Sequence, residues 1–207
     1  MYFRTEAVIL KKRNFAESDR LLTIFTRDFG KLTILAKGVR RPTSKKAGHL
    51  ELGNWCKVFI AKGKNIDILT EVELKKAFGI ADFREDKANK IYHLLEIIEN
   101  LTVEHQKNRE AFILLVKFLK EIDRQENFSL LSSVFKIKLL SSLGFFSSQS
   151  LKSTKAKRIF NILEKTDFDS IDTQIKLSKD SHLKLLLFLD SMIENITNSK
   201  LKTARFL

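Results

Sequence analysis

The hydrophobic period changes near residue 80, and that change limits the fold more than any other property of the chain. Upstream, apolar and polar residues alternate at the two-residue repeat of half-buried strands. Thr5–Lys12, Leu21–Thr26, Lys31–Lys37, Trp55–Ala61 and Ile66–Val72 read as five strands. In the third, Leu32, Ile34 and Ala36 take one face and Lys31, Thr33 and Lys37 the other. Glu17-Ser18-Asp19, Asp28-Phe29-Gly30 and Lys62–Asn65 supply short turns. Strands this close together suit a small closed barrel, most economically an OB-fold, with an SH3-like barrel as the other candidate.

From Ala81 onward the repeat is helical. Ile91, Leu94, Leu95, Ile98 and Leu101 share one face, and Phe112, Leu115, Val116, Leu119 and Ile122 repeat the pattern. A third helix spans Leu130–Leu143 and stops at Gly144, a residue suited to a helix C-terminus. A fourth contains Ile159, Phe160 and Leu163, and a fifth Leu186, Leu189, Ile193 and Ile196. The predicted fold class is α+β: an N-terminal five-stranded OB-fold β-barrel over residues 1–80, followed by an all-α helical domain over residues 81–207. A Ser-rich connection lies at 147–154.

Charge narrows the function. The chain holds 38 Lys+Arg against 25 Asp+Glu, a formal +13 over 207 residues, where solubility asks for a magnitude of only ~2–8 in a small domain. An AT-rich codon bias would favour Lys over Arg but would enrich Glu as well, so it does not explain the sign. A polyanionic partner does. The excess is concentrated upstream: residues 1–80 hold 17 basic and 8 acidic residues. The densest stretch, Lys37–Lys46, has no acid and contains the single proline, Pro42, so it reads as a loop. One cysteine excludes an internal disulfide and a multi-cysteine zinc site. No apolar run reaches the ~18 residues of a membrane span, so a cytoplasmic protein without a membrane partner is expected.

Enzyme motifs fail on inspection. Gly48–Gly53 has the glycine spacing of a phosphate-binding P-loop, but Asn54 and Trp55 stand where the lysine and the hydroxyl residue are needed. His93 and Glu96 lie one helical turn apart without a second ligand pair, so His93 reads as a half-buried helix residue. Glu17 and Asp19 read as turn chemistry rather than a nuclease carboxylate pair. Cys56 falls in a strand pattern as a small core residue. A non-enzyme without a cofactor or metal is expected.

A basic barrel can instead track a phosphate backbone while aromatic rings stack on bases. The candidate DNA-binding residues are Lys11 and Arg13 (with Lys12 between them), Arg20, Arg27, Lys31, Lys37, Arg40, Arg41, Lys45 and Lys46. Phe15 and Phe25 could stack, although core packing is the simpler role for both. If about five cations neutralise phosphates, log K should fall against log salt with a slope of roughly −3.5 on a single strand. An RNA- or ribosome-associated OB protein, and a non-catalytic protein adaptor with incidental charge, remain open alternatives.

The run from Ala7 to Arg41 resembles the opening of the RecO family. Its matching elements are Ala7–Leu10, Glu17-Ser18-Asp19, Phe25-Thr26, Gly30-Lys31 and Ala36-Lys37-Gly38 followed by Arg40; Ser44, Leu50 and Thr70-Glu71 also fit. Phe135, Leu139-Leu140 and Leu143-Gly144-Phe145 are similar to the family's central helix, and Leu201-Lys202-Thr203 with Arg205-Phe206-Leu207 to its closing segment. The resemblance implies a recombination mediator without enzymatic turnover that binds single- and double-stranded DNA and anneals complementary strands. With RecR, such a protein helps load RecA onto DNA coated by single-strand-binding protein (SSB), which it contacts through the acidic SSB tail. Many members carry a four-cysteine zinc module where this chain has Ser147–Thr154, so a short form without it is expected. An arginine that can help hold the tail is replaced by Val134, leaving Arg124, Lys136 and Lys138 as substitutes.

Overall fold

The computed structural model describes residues 1–78, 85–122, 127–171 and 178–203. Three features of the sequence reading lie outside the described residues: the predicted boundary at 80/81, Arg124, and the closing Arg205-Phe206-Leu207. Five strands form a closed barrel in the order β1-β2-β3-β5-β4: β1 Tyr2–Phe15, β2 Asp19–Thr26, β3 Gly30–Ala36, β4 Trp55–Ala61 and β5 Asp67–Lys76. All pairings are antiparallel except β3 with β5, and the architecture is that of an OB-fold. Alternation fills the barrel: Ala7, Ile9, Leu22, Ile24, Leu32, Ile34, Val58 and Ile60 all point inward.

Five α-helices follow among the described residues: α1 Glu85–Leu101, α2 Arg109–Glu121, α3 Phe128–Ser142, α4 Thr154–Lys165 and α5 Lys179–Thr197. Asn108, Asn127, Ser153 and Ser178 each accept a backbone N–H at the start of the last four. Gly144 ends the third at φ +77°, a conformation that favours glycine. Helix α3 is buried all round, from Leu130 through Ile137, because it is the central helix of its layer. No helix among the described residues is long and apolar enough to cross a membrane.

Barrel and helices share one core. The apolar run Ala7–Leu10 is buried on both faces, since Ala7 and Ile9 fill the barrel while Val8 and Leu10 join the helical core with Phe25. Phe25 meets Phe112 of α2 at 6.2 Å between ring centroids. The connection between α1 and α2 runs along β3, with the His105 N–H donating to the Lys31 carbonyl at 2.9 Å. Gly30 sits there at φ +70°, and a β-carbon on it would lie 2.1 Å from the Gln106 carbonyl oxygen. Glycine is required by both the backbone angle and the close approach.

Candidate nucleic-acid interface

The turn between β1 and β2 and the loop between β3 and β4 are tied together at one rim of the barrel. Asp19 Oδ1 accepts the Gly38 N–H at 2.7 Å, and the Arg40 N–H donates to the Ser18 carbonyl at 2.9 Å. The Arg40 guanidinium also donates to the Ala16 carbonyl at 3.1 Å. Asp19 therefore serves turn chemistry, as its sequence context suggests. Arg40 is thereby held beside the end of β1, where Arg13 and Phe15 lie, and Arg41 and Lys45 follow it in the same loop.

A β-bulge decides what β1 presents there. The β1–β2 register slips between Ile9 and Lys11, so the inward face passes from Ala7 and Ile9 to the even-numbered residues beyond. Without the slip, Arg13 and Phe15 would point into the barrel. With it both turn outward, and Phe15 is 49 % exposed. Core packing, the simpler expectation for Phe15, is therefore corrected; for Phe25, fully buried, it holds.

The expected cations fall into two groups. Arg13, Lys37, Arg41 and Lys45 are exposed, and their side chains make no ion pair or hydrogen bond among the described residues; Arg40 joins them, exposed and held only by a neutral carbonyl. The rest are engaged. Glu51 pairs with Lys12 and, at 3.7 Å, with Arg20. Arg27 lies 3.5 Å from Glu6, and Lys11 2.9 Å from Glu99. Lys46 donates to the Thr70 carbonyl at 2.6 Å.

Lys31 departs further from expectation. Its ammonium donates to the Glu99 carbonyl of α1 at 2.5 Å, so it belongs to the barrel–helix junction rather than to a free face. Burial pulls its pKa below the usual lysine range, Glu99 and Glu104 oppose that, and Lys11 adds to it.

In the helical part, Lys136 is corrected outright. Expected at the surface, it is 1 % exposed, with Nζ 2.6 Å from Asp190 Oδ1 and 3.2 Å from His93 Nε2. His93 is correspondingly buried rather than half-buried, and its Nδ1 lies 2.8 Å from the Thr203 hydroxyl. Glu96 accepts the N–H groups of Lys202 and Thr203, each at 3.0 Å, so this pair anchors the end of the chain instead of a metal. Lys138 donates to the Glu164 carbonyl. Burial lowers its pKa, Asp167 and Glu164 oppose that, and Lys117 adds to it.

The remaining motifs are structural. Asn54, buried, donates to the Gly48 and His49 carbonyls and accepts the Phe78 N–H, so the P-loop-like glycines frame a backbone plug. The Cys56 thiol is pushed up to about 12 by burial and is unreactive at neutral pH.

An OB barrel with an outward aromatic and a cluster of cations without ion pairs among the described residues, built onto a helical layer through a shared core, defines a class of OB-fold proteins with a basic rim. Comparison with known proteins gives the family. Residues 1–78 match the model described as "Recombination protein O N terminal" and residues 91–150 the one described as "Recombination protein O C terminal". The chain belongs to the recombination protein O (RecO) family. It is 34% identical over 143 residues to the DNA repair protein RecO of Dehalococcoides mccartyi strain BAV1, covering 69% of this chain and 56% of that one. The RecO proteins of Symbiobacterium thermophilum (30% identical; 69% and 57% covered) and Roseiflexus sp. strain RS-1 (29%; 69% and 50%) are similar. The chain thus spans little more than half the length of the curated relatives it matches.

Proposed function

We propose that this protein is a DNA-binding recombination mediator that works by binding and juxtaposition, without chemical turnover. Residues 1–80 are the nucleic-acid-binding unit and residues 81–207 the helical unit. Single- and double-stranded DNA lies on the rim formed by Arg13, Lys37, Arg40, Arg41 and Lys45, with Phe15 as a stacking platform. The observation that carries this reading is the set of rim cations left unpaired beside a half-exposed aromatic, while the barrel's other expected cations are satisfied within the protein. Cations without an acidic partner break no ion pair on meeting phosphate and release its counterions. Backbone contacts carry no sequence preference, so complementary strands pair by their own bases while the basic surface screens their repulsion.

With RecR, the protein helps load RecA onto SSB-coated DNA. For the acidic SSB tail, Lys138 is the remaining candidate of the expected three among the described residues. It lines a cleft of about 350 Å³ beside Leu114 and Phe168, where Lys117, Lys120 and Lys138 are offset by Glu121, Asp167 and Asp169, so the cleft carries no net positive charge to favour an acidic tail.

The test is annealing of SSB-coated complementary strands with and without the protein, alongside an R40Q/R41Q/K45Q variant. Annealing should accelerate with the native chain and return to the background rate with the variant, whose exposed substitutions leave the melting curve in place. Unimpaired annealing by the variant, or a preference of the native chain for structured RNA over single-stranded DNA, refutes the reading.

A further inference from the structure

Helix α4 carries a second concentration of unpaired positive charge. Residues 152–165 contain Lys152, Lys155, Lys157, Arg158 and Lys165 against one acid, Glu164. That acid is turned away: its carboxylate accepts from the Ser141 hydroxyl, and its carbonyl from Lys138. None of the five cations makes an ion pair among the described residues, and all but the half-buried Lys157 are exposed.

The helix buries Phe160 and Leu163, with Phe160 against Phe146 at 5.1 Å and Phe188 at 5.9 Å. Lys155, Arg158, Ile162 and Lys165 therefore recur along the opposite, solvent face at helical spacing. The stripe is ~15 Å long at ~1.5 Å per residue, several times the ~3.4 Å axial rise per phosphate of one duplex strand.

Two further observations point to a polyanion. The first turn of α4 holds Lys155 and Lys157 and no acid, the wrong sign for the helix dipole; α2 and α5 place Glu110 and Asp180 there instead. Cations at that end are electrostatically unfavourable in the free protein and gain most when an anion arrives. Also, Lys157, Arg158 and Lys165 line a shallow open groove in which Ile162 is the one apolar side chain, which suits a phosphate backbone better than an acidic peptide that needs several apolar anchors.

We propose that the outer face of α4, through Lys155, Arg158 and Lys165 flanked by Lys152 and Lys157, binds the phosphate backbone of a second DNA strand. The proposal rests on the DNA-binding reading of the rim and extends it. Helix α4 packs on α3, α3 on α1 and α1 on the barrel, so two helices stand between this face and the rim. One molecule then presents two separate phosphate-binding surfaces and bridges two strands, which annealing requires.

Bridging is measured by tethering one labelled oligonucleotide to beads, adding the protein, and recording capture of a second, non-complementary oligonucleotide at 0.1 M salt. The native chain should bind the first strand and capture the second. A K155Q/R158Q/K165Q variant should hold the first strand within about twofold. It should capture the second roughly 100-fold more weakly, as three single-strand phosphate contacts imply between 1 M and 0.1 M salt. Undiminished capture by the variant overturns the proposal, including the case in which bridging comes from self-association. So does a variant that loses an acidic peptide but keeps the second strand. A native chain that binds no first strand refutes the rim reading instead, which separates the two failures.

Discussion

Neutralising part of the rim should change the salt dependence of DNA binding by a calculable amount. Five exposed cations on the rim make no ion pair among the described residues: Arg13, Lys37, Arg40, Arg41 and Lys45. If each neutralises one phosphate of a single strand, log K falls against log salt with a slope of about −3.5. Between 50 and 200 mM salt that is roughly a 100-fold loss of affinity. R40Q/R41Q/K45Q leaves two cations, a slope of about −1.4 and a loss of roughly sevenfold over the same range. The measurement is fluorescence anisotropy with a labelled oligonucleotide at four or more salt concentrations. It is made in the K155Q/R158Q/K165Q background, so that only the rim reports. A K12Q control should leave the slope in place, because Lys12 is already paired with Glu51. A rim variant that keeps the steep slope, or a K12Q change that flattens it as much, would refute the assignment of charge to the rim.

Three further outcomes are expected. Phe15→Ala should weaken single-strand binding by ~1–3 kcal/mol, the range for a stacked base; titration checks the loss, and an unchanged denaturation midpoint shows that the half-exposed ring is not a core residue. Asp190→Asn strands the Lys136 ammonium inside the helical core and should cost about 3–5 kcal/mol in chemical denaturation, whereas K136M/D190L should recover most of that. Burial alone would raise the Asp190 pKa, but the contact with His93 and the charge of Lys136 outweigh it and hold it below the usual range. Its contribution to stability is therefore present above the unfolded value of ~3.9 and disappears as pH falls through the lower folded value; acid denaturation midpoints of the native chain and D190N should converge there. Gly30→Ala should lower stability by at least ~1–2 kcal/mol from its left-handed backbone, with the clash against Gln106 in addition; a melting curve matching the native one would contradict the close approach.

The architecture was legible because each segment keeps one period. Alternation marked Leu32, Ile34 and Ala36 as inward, and helical spacing marked Ile91 through Leu101 as one buried face. What escaped depends on contacts distant in sequence or on single-residue slips of register. The bulge near Leu10 reverses which residues of β1 face out, and nothing in the local pattern announces it, so Phe15 read as core. Lys31 looked like any outward lysine on a strand, but its partner is the carbonyl of Glu99, 68 positions away. Lys136 carried a visible warning, since it interrupts an apolar run in the central helix. Its half-buried acid, 54 positions downstream, did not. The charge cluster at Lys37–Lys46 was legible as a set, and the structure sorts its members into unpaired and engaged.

Because Val8, Leu10 and Phe25 belong to the helical core while Ala7, Ile9 and Ile24 fill the barrel, the described residues of the two halves interlock through the same two strands. Among the described residues, the barrel and the helices are joined by a packed core. If both charged faces bind DNA as proposed, a body packed in this way cannot close on one strand and swing it onto another, and the separation of the two faces sets the distance at which it would hold two strands. Strand exchange on such a body falls to the nucleic acid, which must bend, slide and loop between fixed points. On that reading, the span of single strand needed to reach from one face to the other is a ruler built into the fold.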